Sequence, residues 1–326
     1  MKQARIRANF TLFCPITLPR GLDLPWSLAI YQFMNRQNKT GRIFHFLMFT
    51  GMMSMLFPLA AFGESASEWV DEGYVRSRLV ANYEIISFGG EETIFIGWQV
   101  ELQEGWKTYW RTPGEAGLPP RFDWTGSLNI AEVRPLYPLP ERFEIFGIQT
   151  YGYEDEVILP ILIKPQIAGA PVTIRLSLDY MVCLDICIPY EADFILNIPA
   201  GELAKPSRYA RAIDQEIQRV PRSGLDSELA GIIIEEIHVR GMPGRQRVTI
   251  TIDSQFLLSG ADVILEADSA FRFDAPQRAL VGDGTRARFI IPVGSMREGV
   301  DLTGKPGIIT VTDGWGGMIE QEIVFQ

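Results

Sequence analysis

The chain alternates apolar and polar residues over short stretches separated by glycine and proline. Every even position from Val172 to Val182 is apolar, and Ile94–Leu102 is a similar stretch near the start. Further stretches of this kind are 156–163, 194–198, 232–239, 247–252, 263–267, 286–293 and 307–311. A period of two with polar alternates is typical of antiparallel strands that bury one face. The pattern therefore predicts an all-β protein made of antiparallel β-sandwiches, with a hairpin turn at 313–317.

One segment follows a helical period instead. Pro206 and Ser207 are typical of a helix start, and Tyr209, Ile213 and Ile217 follow at helical spacing until Pro221. The roughly 260 residues after position 63 are enough for two ordinary domains. We therefore predict four parts, with the two sandwiches joined by a short helix: an upstream extension plus signal peptide (1–63), a first sandwich (64–200), a linker helix (201–221) and a second sandwich (222–326).

Residues 1–63 have the features of an export signal. A basic group precedes a largely apolar run, with Arg36, Lys39 and Arg42 followed by Ile43–Phe57. Ala61 and Gly63 put small residues at the two positions that a signal peptidase reads. The run is short for a membrane span of about 20 residues. We expect Met34 to be the initiator, cleavage near Gly63, and a soluble periplasmic protein that meets the membrane only through its signal segment or a partner.

The excess of acidic over basic residues makes some kinds of binding partner unfavourable. The whole chain has 30 basic and 40 acidic residues, and residues 1–63 contain seven of the basic residues and Asp23. The remaining chain thus has 23 basic against 39 acidic residues, which disfavours nucleic acid and anionic membrane surfaces. His45 and His238 are its two histidines, so Ser-His-Asp and zinc chemistry are also disfavoured. We expect no cofactor and no resident metal.

Cys183 and Cys187 are the two cysteines outside the extension, which holds Cys14. Four positions on a continuous strand span about 13 Å, whereas a disulfide needs Cα atoms within about 7 Å. A bond between the two therefore requires residues 184–186 to form a tight turn. The small ring is expected to stabilise the fold by only about 2 kcal/mol, which favours a bond that opens and closes.

The residues alone leave three interpretations of the cysteine pair open. A redox relay needs a thiolate, and because no His, Lys or Arg flanks either cysteine, its reactivity would rest on exposure and on the partner. The strand phase puts Cys183 on the face opposite the even-numbered residues, which we expect to be accessible. A copper(I) site of Met181, Cys183 and Cys187 is one alternative. A static disulfide in an interaction module is the other.

Four segments carry a resemblance to a known family: GWKTYWR at 105–111, GLPPRFDW at 117–124, YGY at 151–153 with 156–161, and VCLDICIP at 182–189. They resemble the N-terminal periplasmic domain of the thiol:disulfide interchange protein DsbD family, closest to its ScsB-like branch. The similarity covers most of residues 70–326 and is strongest across 98–198. It implies two immunoglobulin-like β-sandwiches.

The resemblance also implies an activity and its residues. A Cys-x3-Cys pair would relay electrons from a membrane-embedded thiol reductase to periplasmic disulfide proteins, a protein-disulfide reductase-like activity connected with cytochrome c biogenesis and copper tolerance. Cys187 would bond to the partner, Cys183 would resolve the mixed disulfide, and Phe146 would shield the pair. The family's transmembrane bundle and thioredoxin-like part have no counterpart here, so we expect a separate protein to supply the electrons.

Overall fold

The structure is a computed structural model that describes residues 65–89, 93–145, 147–295 and 299–326, with the backbone alone at Ile145 and Leu225. Three sequence predictions concern residues outside these ranges: the initiator Met34, the cleavage near Gly63 and the shielding residue Phe146. Cys14 also lies outside them. The three stay predictions.

The first sandwich consists of two packed antiparallel sheets. Its strands are β1 (Val70–Asp71), β2 (Val75–Ala81), β3 (Tyr83–Ser87), β4 (Ile94–Leu102), β5 (Lys107–Gly114), β6 (Arg121–Asp123), β7 (Glu132–Pro135), β8 (Glu141–Ile145), β9 (Ile148–Glu154), β10 (Glu156–Lys164), β11 (Val172–Cys183), β12 (Cys187–Ile198), β13 (Ala200–Gly201) and β14 (Lys205–Pro206). One sheet has the order β1-β2-β4-β10-β7, and the other has the order β12-β11-β5-β9-β8 with β6 beside β11. β3 pairs with β13 and β14 in a small third sheet.

The facing sides of the two large sheets form the first hydrophobic core. Trp98 and Ile161 from one sheet meet Trp110 and Leu178 from the other. In β11 the even-numbered side chains enter this core, because successive side chains on a strand point to opposite faces. The strands predicted at Ile94–Leu102 and in 172–182 are therefore confirmed, the second with one extra residue.

A single α-helix of the described residues, α1 (Ala210–Gln218), packs against the outside of the first sheet. Tyr209 and Ile213 lie against Val80 and Ile158. Gly97 leaves room on this face for the Ile158 side chain against which the helix packs, because a Cβ at position 97 would lie 2.3 Å from Cγ2 of Ile158. The predicted helix is confirmed but begins later than its start signal, since Pro206 pairs in β14 and the Ser207 hydroxyl oxygen accepts the Tyr209 amide at 2.9 Å.

The second sandwich follows a short 3-10 helix (Gly224–Ala230). Its strands are β15 (Ile232–Met242), β16 (Arg245–Ser254), β17 (Asp262–Glu266), β18 (Phe271–Phe273), β19 (Gln277–Val281), β20 (Arg286–Ser295), β21 (Pro306–Thr312) and β22 (Met318–Val324). The sheets are β15-β16-β20-β18, with β19 beside β20, and β17-β21-β22. Val248, Phe289 and Ile309 are central to its core. The hairpin turn between β21 and β22 lies where the sequence predicted it, with the Gly317 amide donating to Asp313 Oδ1 at 2.9 Å.

Side chains of both sandwiches meet at an interface. Arg111 on β5 forms ion pairs with Glu266 and Glu320, and Arg142 on β8 forms one with Asp262 at 2.9 Å. Ile264 on β17 packs into the first core, while its neighbours on either side belong to the second.

The predicted all-β architecture of two immunoglobulin-like sandwiches with a short helix between them is confirmed. The divisions at 64–200, 201–221 and 222–326 stay a prediction. Within the described ranges, no helix is both long enough and apolar enough to cross a bilayer.

Candidate functional site

The cysteine pair lies at the end of the hairpin formed by β11 and β12. Pairing of the two strands runs without a break from Val172 opposite Ile198 to Cys183 opposite Cys187. The two cysteines form a disulfide with Cα atoms 4.1 Å apart. Within the turn, the Leu184 amide donates to the Ile186 carbonyl oxygen at 3.2 Å. The tight turn that a bond between these cysteines requires is therefore present.

The two sulfurs differ in their accessibility. Cys187 is exposed, whereas Cys183 is only 2% exposed. The expectation that Cys183 is accessible is wrong, although strand alternation does turn it away from the even-numbered core residues. Cys183 lies on β11, between β12 and β5, while Cys187 lies on the edge strand β12. A reagent from solution can therefore approach the pair from the Cys187 side.

Tyr109 on β5 contacts the exposed cysteine. Its hydroxyl oxygen is 3.4 Å from Cys187 Sγ, and because a disulfide sulfur has no hydrogen, the hydroxyl is the donor. Burial raises the pKa of Tyr109, so the phenol remains a donor at neutral pH. Gly117 allows the following loop to cover the ring: its φ is +102°, and a Cβ there would lie 2.3 Å from Tyr109 Cε1. Tyr109 is thus held beside Cys187 by the loop packed on it.

A lysine on the same strand as Tyr109 lies level with the pair. Lys107 is directly opposite Cys183 in the pairing of β5 with β11. Its Nζ donates to the Gly105 carbonyl oxygen at 3.0 Å, lies 3.6 Å from Glu154 Oε1 and is 4.8 Å from the Phe143 ring centroid. No basic residue flanks the cysteines in the sequence, and the pairing of β5 with β11 places Lys107 in the same row as Cys183.

Sequence reasoning used Lys107 and Tyr109 only as parts of the segment that carries the resemblance. Their place beside the cysteines depends on β5 pairing with β11, a contact between residues more than 70 positions apart. A polar lysine and an aromatic residue at alternate positions before a glycine-rich loop is the one local signal, and it is equally typical of an ordinary strand.

The other candidate residues are not gathered into a second site. Met181 lies on the same face of the hairpin as the cysteines, two residues before Cys183 and opposite Pro189. His238 is on β15 of the second sandwich, 3.7 Å from a Glu236 oxygen. Over the residues that the structure describes, no three His, Cys, Asp or Glu side chains cluster in a way that suits a metal ion.

The arrangement is suited to exchange between thiols and disulfides. Of the two bonded cysteines one is an exposed residue and the other is buried, and a neutral O–H group donates to the sulfur of the exposed one. Exchange proceeds by attack of a thiolate on a disulfide sulfur, so both access and stabilisation of the departing or attacking thiolate matter.

Comparison with known proteins gives one family match over the first sandwich. Residues 76–199 match the family described as thiol:disulfide interchange protein DsbD, N-terminal. Residues 219–323 match a domain of unknown function. No curated protein shows significant similarity to the chain.

Solved structures also include proteins similar to this chain. The crystal structure of the N-terminal periplasmic domain of ScsB from Proteus mirabilis superposes with a TM-score of 0.63 at 22% identity, covering 80% of this chain and 98% of that one. A marsupial T cell receptor aligns over 78% of this chain and 98% of its own at 10% identity, with a TM-score of 0.17 that supports no argument. The match of residues 76–199 to the DsbD N-terminal domain model confirms the resemblance seen in the sequence.

Proposed function

We propose that the chain is a periplasmic thiol-disulfide exchange protein that relays electrons through Cys183 and Cys187. The observation that carries this proposal is the unequal exposure of two bonded cysteine residues at a hairpin end. A purely structural bond has no need of an open sulfur, whereas a relay needs one sulfur that partners reach and one that they do not. The family match, the periplasmic origin of the ScsB domain and the export signal all support the compartment.

The proposed reaction transfers two electrons in two exchange steps. In the reduced protein the Cys187 thiolate attacks one sulfur of a periplasmic protein's disulfide, and that protein's second sulfur leaves as a thiolate. The Cys183 thiolate then attacks Cys187 Sγ, which breaks the mixed disulfide and releases the partner as a dithiol. The chain is left with the Cys183–Cys187 bond seen in the structure. A dithiol of a membrane-embedded reductase restores the reduced state by the reverse steps.

Tyr109 has a direct role in this scheme. Its hydroxyl already points at Cys187 Sγ. When Cys187 is a thiolate, the same O–H donates a charge-assisted hydrogen bond, which is stronger than one between neutral groups. Lys107, opposite Cys183, adds positive charge to the same end of the sheet. Because the Lys107 ammonium group is already engaged by the Gly105 carbonyl oxygen and Glu154, Tyr109 is the residue to which we assign stabilisation of the thiolate.

The relay is tested by trapping the mixed disulfide. Cys183→Ala keeps the attacking thiol and removes the resolving one, so disulfide-linked adducts with periplasmic proteins or a membrane reductase should accumulate. Cys187→Ala should trap few, because the remaining sulfur position is buried. Adducts are counted on non-reducing gels after rapid acid quenching of cells, with the double variant as the blank.

The same gels separate the alternatives. Adducts through Cys183 alone would keep the relay but reverse the two roles. Equal absence of adducts from both single variants would overturn the relay and favour a static disulfide in an interaction module.

Phe146 is proposed to shield the pair. It follows β8 directly, and Phe143 on that strand lies over Lys107 at the cysteine end of the sheet. Phe146→Ala should raise the rate at which iodoacetamide alkylates the reduced protein, with little change in stability. Phe88→Ala, at an exposed aromatic side chain elsewhere on the first sandwich, is the matched control. Equal alkylation rates in the two variants and the wild type would show that Phe146 does not cover the cysteines.

A further inference from the structure

A cleft of about 510 Å³ opens beside the disulfide on the same face of the hairpin. Pro189 lies two residues beyond Cys187 on β12, so its side chain points to the same side as the exposed sulfur, about 7 Å along the strand. The next row on this face is Asp179 opposite Glu191. These three residues form one side of the cleft, and Leu118 and Pro119 from the loop before β6 form the other.

The carboxylates in the cleft stand out from others on the same sheet. Asp179 and Glu191 are directly opposite each other, an arrangement of like charges that destabilises a sheet. Within the described part of the chain, neither has a hydrogen-bond or ion-pair partner. Asp193, on the next row, accepts from the Ser177 hydroxyl at 2.5 Å, and Asp123 accepts from Thr125 at 2.6 Å.

One cation lies in the same row without cancelling this charge. Arg121 on β6 is opposite Asp179 and also lines the cleft, but no ion pair within 4.0 Å joins it to either carboxylate in the described structure. Asp185, in the turn between the cysteines, adds a further carboxylate at the same end of the hairpin. The surface around Cys187 is therefore net negative, with its two unpartnered carboxylates in the cleft.

Part of the cleft surface is apolar. Leu118 is 47% exposed although it is a large aliphatic side chain, and Pro119 and Pro189 extend the surface it offers. An apolar wall that ends at unpaired carboxylates matches a long basic side chain, because lysine and arginine lay their methylene stems on apolar surface and keep the charged group at a polar end. An arginine also forms paired hydrogen bonds with a carboxylate.

We propose that this cleft binds an arginine or lysine side chain next to the reactive cysteine of the partner protein, and so selects partners with a basic residue there. This inference rests on the proposed function, since it assigns a substrate class to the same site. The partner's cysteine would lie over Cys187 and its basic side chain would enter the cleft between Leu118 and the carboxylates. The preference should weaken as salt screens the charges.

The test uses the reduced exported protein and two peptides that differ at one position. Each peptide carries a single cysteine as its mixed disulfide with thionitrobenzoate, with either arginine or glutamine two residues from that cysteine. Attack of the Cys187 thiolate on the peptide sulfur releases thionitrobenzoate, which is followed by its absorbance. At low salt the arginine peptide should react on the order of 10-fold faster than the glutamine peptide.

Two charge-matched double variants locate the effect. Asp179→Asn with Glu191→Gln should bring the ratio of the two rates close to one. Asp193→Asn with Asp123→Asn removes the same charge from the same sheet outside the cleft and should keep most of the preference. A wild-type ratio near one, or a ratio that survives the first double variant, overturns the inference while leaving the relay intact. No thionitrobenzoate release from either peptide overturns the proposed function itself.

Discussion

Two long hairpins, one in each sandwich, close in different ways. The strands of β11–β12 have 12 residues each, and those of β15–β16 have 11 and 10. The first hairpin ends in a three-residue turn and the Cys183–Cys187 bond. The second ends in the two residues Pro243 and Gly244, between Met242 and Arg245, with Gly244 at φ +83°. A hairpin of this length can therefore form without a cross-link, so closing the hairpin does not explain why the first one has a disulfide.

The surroundings of the two hairpin ends differ as well. Around the first lie the apolar Leu184 and Ile186, the latter 63% exposed, together with the buried Tyr109 that contacts Cys187. Near the end of the second, Arg240 and Arg247 are paired across the strands and exposed. Both ends expose an apolar side chain, since Met242 beside the second turn is 74% exposed. The first end is distinguished by its disulfide and the hydroxyl donor next to it, and the second by its pair of arginines. The two hairpin ends therefore differ in carrying a bond capable of redox exchange, and not in exposing apolar surface.

The largest effect is expected where the sandwiches are joined. Burial lowers the pKa of Arg111, but hydrogen bonds and charge from Glu266 and Glu320 outweigh this and raise it overall. Arg111→Ala leaves those two carboxylates facing each other in a partly buried interface, so the free energy of unfolding should fall by about 3 kcal/mol. Urea denaturation followed by tryptophan fluorescence measures this.

The matched control is Arg134→Ala, which removes an exposed ion pair with Glu132 and should cost less than about 1 kcal/mol. If Arg111→Ala lowers the free energy of unfolding no more than this control does, the second sandwich does not stabilise the first through this contact.

A smaller effect is expected from removing the disulfide. Replacing both Cys183 and Cys187 by alanine should lower the free energy of unfolding by about 2 kcal/mol, because the bond closes a ring of only a few residues. The same denaturant titration measures this loss. Removal of structural disulfides can cost about 4 kcal/mol or more. A loss of that size would show that the bond mainly stabilises the fold and that the two hairpins do not differ in function.

Gly244→Ala is the corresponding change in the second hairpin, and its effect should be the smallest. A residue with a Cβ is strained at φ +83°, so the free energy of unfolding should fall by about 1 kcal/mol. Thiol reactivity of the reduced protein should not change, since the turn belongs to the other sandwich. A change in alkylation rate in this variant would show that the second hairpin influences the cysteines.

Local pattern predicted much of the fold. The alternation at Ile94–Leu102 predicted the bounds of β4, and the alternation before Cys183 predicted β11. This works because the order of apolar and polar residues along a strand shows which side chains face a core. The cysteine pair itself was also visible, since a bond at this spacing demands a turn. These features depend on a few neighbouring residues and on nothing distant.

The environment of the pair was not predictable in this way. Alternation shows that Cys183 leaves the core face, but burial there depends on β5 lying alongside, which is a matter of strand order. The contact of Tyr109 with Cys187 spans 78 positions. The unpaired Asp179 and Glu191 are likewise recognisable only when the register places them opposite each other.

The position of Ile264 has a consequence for truncation of the protein. This side chain fills part of the first core, yet it follows Ile198, the last residue of β12, by 66 residues. A fragment that ends soon after β12 would contain both cysteines and all the strands of the two large sheets of the first sandwich, but it would lack one side chain of the core. The first sandwich alone is therefore expected to be less stable than the same sandwich in the full chain.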